Sequence, residues 1–75
     1  ASRIRICEGT AVSILVTDLG GGPTITANTA GITGISCNAS CTATVASLTG
    51  IEKYTAVSAD GIDTDRVTLL AGIDY

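Results

Sequence analysis

Residues 54–70, YTAVSADGIDTDRVTLL, constrain the fold more than any other stretch of this chain. Two runs rich in β-formers, 54–59 and 66–70, flank the polar segment Asp60-Gly61-Ile62-Asp63-Thr64-Asp65. Asp-Gly is a strong hairpin signal, because Gly takes positive φ without steric cost and Asp tolerates it. The stretch is therefore expected to form a β-hairpin with a slightly long, acidic loop and Gly61 at positive φ. The other apolar runs are expected to pair or pack with it.

Those runs carry the period of two that marks half-buried strands. In Ser2–Cys7, Ile4 and Ile6 alternate with Arg3, Arg5 and Cys7, so the isoleucines face a core while Cys7 points outward with the arginines. In 11–17, Val12, Ile14 and Val16 share one face, and Leu15 lies on the other with Ser13 and Thr17. Asp18-Leu19-Gly20-Gly21-Gly22-Pro23 ends that strand. As a phosphate cradle the glycine run lacks the strand–loop–helix setting such loops need, and a flexible turn is the better reading. A short strand is expected at 24–28, a loose segment at 29–34 with Ile32 and Ile35 covering a sheet edge, and a strand at 42–48. The alternation slips at Ser47-Leu48, where a bulge is expected. Residues 73–75 are expected to extend the last strand. No window keeps a helical apolar stripe free of Gly and β-branched crowding. Short strands at such spacing argue for an all-β sandwich or small barrel.

Seventy-five residues make one domain, 1–75. A chain this short buries only about 60% of its unfolded surface. There is no Trp or Phe, so the core must come from Ile, Val, Leu and Ala. Small domains with such cores commonly gain from disulfides, metals or oligomer contacts. The net charge is −3, and only Arg3, Arg5, Lys53 and Arg66 are basic. Nucleic-acid affinity rests on many Lys and Arg contacts to phosphate, so a nucleic-acid partner is not expected. No apolar run approaches the roughly 20 residues that span a bilayer. The chain contains no Met and opens with Ala-Ser, as a mature product after leader removal or a fragment of something longer would. Low charge, abundant Thr, Ser and Gly, and three cysteines suit an extracellular or cell-surface location.

The last third resembles the end of bacterial and archaeal immunoglobulin-like repeats, such as those of adhesins and surface-layer proteins. The residues that carry the resemblance are Tyr54, Thr55, Val57 and Ala59, then Asp63 and Asp65, then Val67, Thr68 and Leu69. Residues 12–17, followed by Asp18 and glycines, look like the family's early strand and turn. The resemblance implies a small immunoglobulin-like antiparallel β-sandwich. With no Trp and no Cys…Trp…Cys spacing, an antibody-type domain is excluded. The chain is also shorter than the usual sandwich of about 100 residues. A strand from a neighbouring subunit is one way to complete it.

The cysteines admit two structural readings. Cys37 and Cys41 are four apart and suit a local disulfide pinning a loop. Alternatively Cys7 joins Cys37 or Cys41 and fastens the first strand to the middle of the chain. Three Cys without His make a zinc site or a catalytic Cys–His pair improbable. An odd Cys in an exported protein suggests an intermolecular pair. Asn38-Ala39-Ser40 is an N-x-S glycosylation acceptor, or simply a polar turn. Asp60, Asp63 and Asp65 offer carboxylates of the kind Ca²⁺ takes, but they miss the EF-hand pattern and a solvated turn is the better reading. Calcium is the one cofactor to be weighed. No catalytic constellation is present: without His there is no Ser-His-Asp arrangement, and nothing near the aspartates would set their pKa values apart.

These features point to a non-enzymatic structural protein. The expected function is that of a subunit in a self-assembling surface appendage, a pilus-like filament built by strand exchange, with Ile4 and Ile6 as the assembly residues and other copies of the chain as partners. The rival is one immunoglobulin-like module of a larger adhesin with a cell-surface partner. An accessory domain of a secreted hydrolase has least support.

Overall fold

The computed structural model describes residues 2–18 and 20–72. Seven strands form two sheets: β1 (Ser2–Cys7), β2 (Val12–Val16), β3 (Thr24–Ala27), β4 (Ile32–Cys37), β5 (Cys41–Val45), β6 (Ile51–Val57) and β7 (Thr64–Gly72). The sheets have the orders β1-β7-β6-β3 and β2-β5-β4. The fold is a small β-sandwich, with no helix among the described residues.

The Asp-Gly stretch forms the expected hairpin. β6 and β7 pair antiparallel from Ile51↔Leu70 to Val57↔Thr64, and Gly61 has φ +79°. Strands β2–β5, β4–β5 and β3–β6 are antiparallel too. The first strand departs from an all-antiparallel pattern, because β1 runs parallel to β7 from Ser2↔Val67 to Cys7↔Gly72. The parallel arrangement follows from the chain's route. β1 leaves its sheet through a turn whose ends are fastened, with Glu8 N–H donating to the Gly72 carbonyl at 3.0 Å and Gly9 N–H to the Leu48 carbonyl at 2.7 Å. β2 then returns in the opposite sheet.

The core lies between the sheets. Ile14, Ile25, Ile32, Cys41, Ala43, Val45, Leu48, Tyr54, Val67 and Leu69 are all buried. Aliphatic residues dominate, and Tyr54 is the aromatic centre. Along β5 the pattern is regular, with Cys41, Ala43 and Val45 inward and the two threonines outward. Burying each such Val or Leu contributes roughly 1.5–3 kcal/mol.

Two local expectations are corrected. Residues 29–34 are not simply loose, since β4 begins at Ile32. Its alternation is hidden by an irregularity between Thr33 and Ser36, at Gly34 with φ +66°, which leaves Ile32 buried and Ile35 exposed. The bulge expected at Ser47-Leu48 is not there. β5 ends at Val45, and the chain bends so that Leu48 fills the core, held by its N–H to the Thr10 carbonyl at 3.0 Å. The expected extension over 73–75 lies outside the described residues.

Candidate assembly surfaces

β1 is the first surface to consider, because it is an edge strand with one unpaired side. Its isoleucines sit beside Leu69 and Ala71 in the register and so share the inner face. They are not equally covered. Ile6 packs against the core, whereas Ile4 remains 45% exposed. The expectation that both face a filled core therefore holds for Ile6 and is corrected for Ile4. The opposing sheet has only three strands, against four here. Cys7 is exposed, as the alternation required, and its thiol is free.

A groove of about 510 Å³ opens between the end of β2 and the start of β7. Leu15, Val16, Tyr54 and Val67 give it apolar walls, and Asp18, Asp63 and Asp65 bring carboxylates to it. No β1 residue lines it, because the β1–β7 register starts only at Val67. The Tyr54 hydroxyl is held above its usual pKa, first by burial and then by the charge of Asp65. Asp18 ties the two loops at this end together: one oxygen accepts from Gly20 N–H at 3.1 Å and the other from Ala59 N–H at 2.9 Å.

The acidic loop itself is organised around Ser58. Its N–H donates to the Asp63 carbonyl and its carbonyl accepts from Gly61 N–H, both at 2.9 Å. Its hydroxyl donates to Asp60 and accepts from Asp63 N–H at 3.0 Å. Asp60 also accepts from Ile62 N–H at 3.0 Å. These bonds, that of Ser58 foremost, hold the Asp60 carboxyl below its ordinary pKa. Among the described residues no group of three or more His, Cys, Asp or Glu side chains is placed to hold a metal ion, the calcium candidates Asp60, Asp63 and Asp65 included. The reason lies in the loop. Asp60 is turned toward Ser58 and Ile62, while Asp65 stands in the β7 ladder opposite Ala56.

Of the two cysteine readings, the local one is found. Cys37 and Cys41 are ladder partners across the β4–β5 hairpin and are joined by a disulfide. Cys41 is fully buried, and its sulfur lies 3.0 Å from the Pro23 carbonyl. A disulfide sulfur has no proton to give, so this is a close packing contact and not a hydrogen bond. Asn38-Ala39-Ser40 forms the whole loop of the hairpin, with Asn38 exposed and its N–H donating to the Ser40 carbonyl at 2.9 Å.

Two features escaped the sequence reading. The Glu52 carboxylate faces inward and accepts from the Thr29 hydroxyl and from Gly31 N–H, the latter at 3.1 Å. A Cβ on Gly31 would meet that carboxylate at 2.2 Å, so a larger residue there would have to displace the Glu52 side chain. The signal was the parity of Glu52 with Tyr54. The second feature is that all four cations fall on one surface, the outer face of the four-stranded sheet. Arg3 and Lys53 flank Thr68 in the register, Arg5 stands beside Leu70, and Arg66 lies opposite Thr55. All four are exposed. Arg3, Lys53 and Arg66 line a shallow depression of about 530 Å³ together with Asn28 and Thr68.

No helix among the described residues is long and apolar enough to cross a membrane. In comparisons with protein-family models, curated proteins and solved structures, nothing matches this chain.

Proposed function

We propose that this chain is a non-enzymatic structural subunit of an extracellular, self-assembling filament or surface appendage, in which β1 is exchanged between copies. The observation that carries the reading is the state of β1: an edge strand of its sheet, with Ile4 on the inner face and still 45% exposed. Exchange requires the turn at residues 8–11 to release its hydrogen bonds to Gly72 and Leu48, so that β1 leaves its own sheet and takes the same place beside a neighbour's β7. Exchange of one element is a low-cost route to association, because the contacts made are those already present in the single chain. The sequence of contacts does not close on itself unless the geometry forms a ring, so copies can add indefinitely. The Cys37–Cys41 disulfide is compatible with an oxidising, extracellular setting. Asn38, exposed at the hairpin tip, is accessible for glycosylation where an organism performs it.

The resemblance of residues 54–70 to immunoglobulin-like surface repeats supports a second reading, a module of a larger adhesin with a cell-surface partner. One observation favours it: in the single chain β1 completes its own sheet, as it would in an autonomous module. Sedimentation velocity over a concentration series separates the two. The filament reading expects mass that grows with concentration into a polymer series. A single monomeric boundary at every concentration supports the module and overturns the filament.

A further inference from the structure

We propose that the outer face of the four-stranded sheet is a docking surface for the acidic β6–β7 loop of a second copy of this chain. The inference rests on the reading that copies assemble, and not on which strand joins them.

The charge distribution is its basis. Inward-facing Val67 and Leu69 are buried, so Arg66, Thr68 and Leu70 must point away from the core. The register carries that parity across the sheet to Arg3, Arg5 and Lys53. All the lysine and arginine of the chain is thus spent on one face. Four of its seven acidic residues, Asp18, Asp60, Asp63 and Asp65, gather instead at the end where β6 turns into β7. One molecule therefore carries a basic face and an acidic end, two surfaces of complementary charge.

The occupant follows from the magnitudes. A long polyanion would meet a chain of net charge −3 and gain only four cations. A compact loop with a few carboxylates matches those cations without bringing the rest of a polyanion's charge. Charges separated by more than about 8 Å are largely screened at physiological salt, so the recognition must be local. The shapes agree as well. The loop projects Ile62, 79% exposed, between Asp60 and Asp63, and the sheet face offers a shallow depression with exposed Ile51 on the same side. A loop-to-face contact is heterologous, because the two patches differ, and it therefore propagates from copy to copy.

The test uses two charge-reversed chains. One carries Lys53→Glu and Arg66→Glu, the other Ile62→Lys and Asp63→Lys. Circular dichroism first establishes that each folds, and Lys53→Gln with Arg66→Gln serves as a neutral control for the face. Wild-type assembly, followed by sedimentation, is expected to weaken as salt rises. Each reversed chain alone is expected to need a concentration higher by about tenfold or more, because like charges now meet. An equimolar mixture is expected to assemble again, since the acidic face of one chain accepts the basic loop of the other. The neutral control is expected to assemble with less salt dependence than wild type. If the wild type assembles and both reversed chains assemble equally well, or the mixture does no better than its components, the docking surface is wrong and self-assembly stands. If the wild type stays monomeric at every salt concentration, self-assembly itself fails and the docking surface with it.

Discussion

Ile4 and Leu69 stand side by side in the parallel β1–β7 pair, yet Leu69 is 2% exposed and Ile4 is 45% exposed. Both point to the inner face. Leu69 belongs to a central strand and is covered by the opposing sheet, while Ile4 belongs to the edge. The two positions should therefore answer differently to truncation in dilute, monomeric protein. Leu69→Ala should cost about 2–5 kcal/mol, as large-to-small changes in packed cores do. Ile4→Ala should cost less than about 1 kcal/mol. Urea denaturation of both variants checks this. Equal losses would mean that Ile4 is packed as fully as its partner.

Gly61 gives a backbone prediction. At φ +79° a β-branched residue is a steric outlier. A Cβ there would meet no neighbouring atom within 4 Å, so any cost of Gly61→Val comes from the backbone rather than from a clash. The expected loss is about 1–3 kcal/mol. Thermal melts of Gly61→Val beside Asp60→Ala separate the backbone contribution from the loss of loop hydrogen bonds.

The disulfide prediction concerns both pairing and size. Native protein should contain one disulfide and one thiol, and the thiol should react without unfolding, because Cys7 is exposed. A four-residue separation closes a very short loop. The chain-entropy relation then gives about 2 kcal/mol, less than a bridge through Cys7 would supply. Peptide mapping after alkylation identifies the pair, and melts with and without reductant measure its effect. A bridge involving Cys7 would contradict the structure.

Tyr54 predicts an alkaline limit to stability. Its pKa in the folded chain is raised above the ordinary value of 10.0. A raised folded pKa means that the unfolded chain loses this proton first. The stabilisation is thus fully present below pH 10.0 and is lost as pH rises through the folded value. Tyr54→Phe should flatten the fall in stability on the alkaline side, although it also removes a hydroxyl near Asp65. Asp60 works in the opposite sense. Its folded pKa is lowered, so its contribution is present above the ordinary carboxylate range and is lost as pH falls through the folded value. Denaturation curves taken across the alkaline and acid ranges check both signs.

Much of this architecture was legible because alternation and turn chemistry agreed. In 54–70 the Asp-Gly turn and the flanking β-runs both required a hairpin, and a hairpin formed. In 29–34 they disagreed: Gly34 interrupts the period of two, and β4 was hidden until its pairing with β5 was known. Leu48 misled in the other direction, because a core residue reached from a bend looks like a slipped strand. The pairing partner of β1 was not legible at all. Parallel pairing with β7 depends on contacts between the two ends of the chain, and no local pattern encodes them. The candidate surfaces divide in the same way. The exposed Cys7 could be read from strand alternation, while spacing left the local disulfide and a bridge through Cys7 both open. The gathering of Arg3, Arg5, Lys53 and Arg66 on one face needed the register of three strands.

The exchange of β1 is tested most directly by a covalent trap at the β1–β7 register. Arg3 and Thr68 are partners on the outer face, and cysteines placed at both positions, in a chain carrying Cys7→Ser, can join across the pair. The double variant is assembled, oxidised, denatured and run by size. If β1 lies beside a neighbour's β7, each bridge links two chains, and the expected result is a ladder of covalent dimers, trimers and longer species. Assembled material that yields only internally bridged monomers would contradict strand exchange.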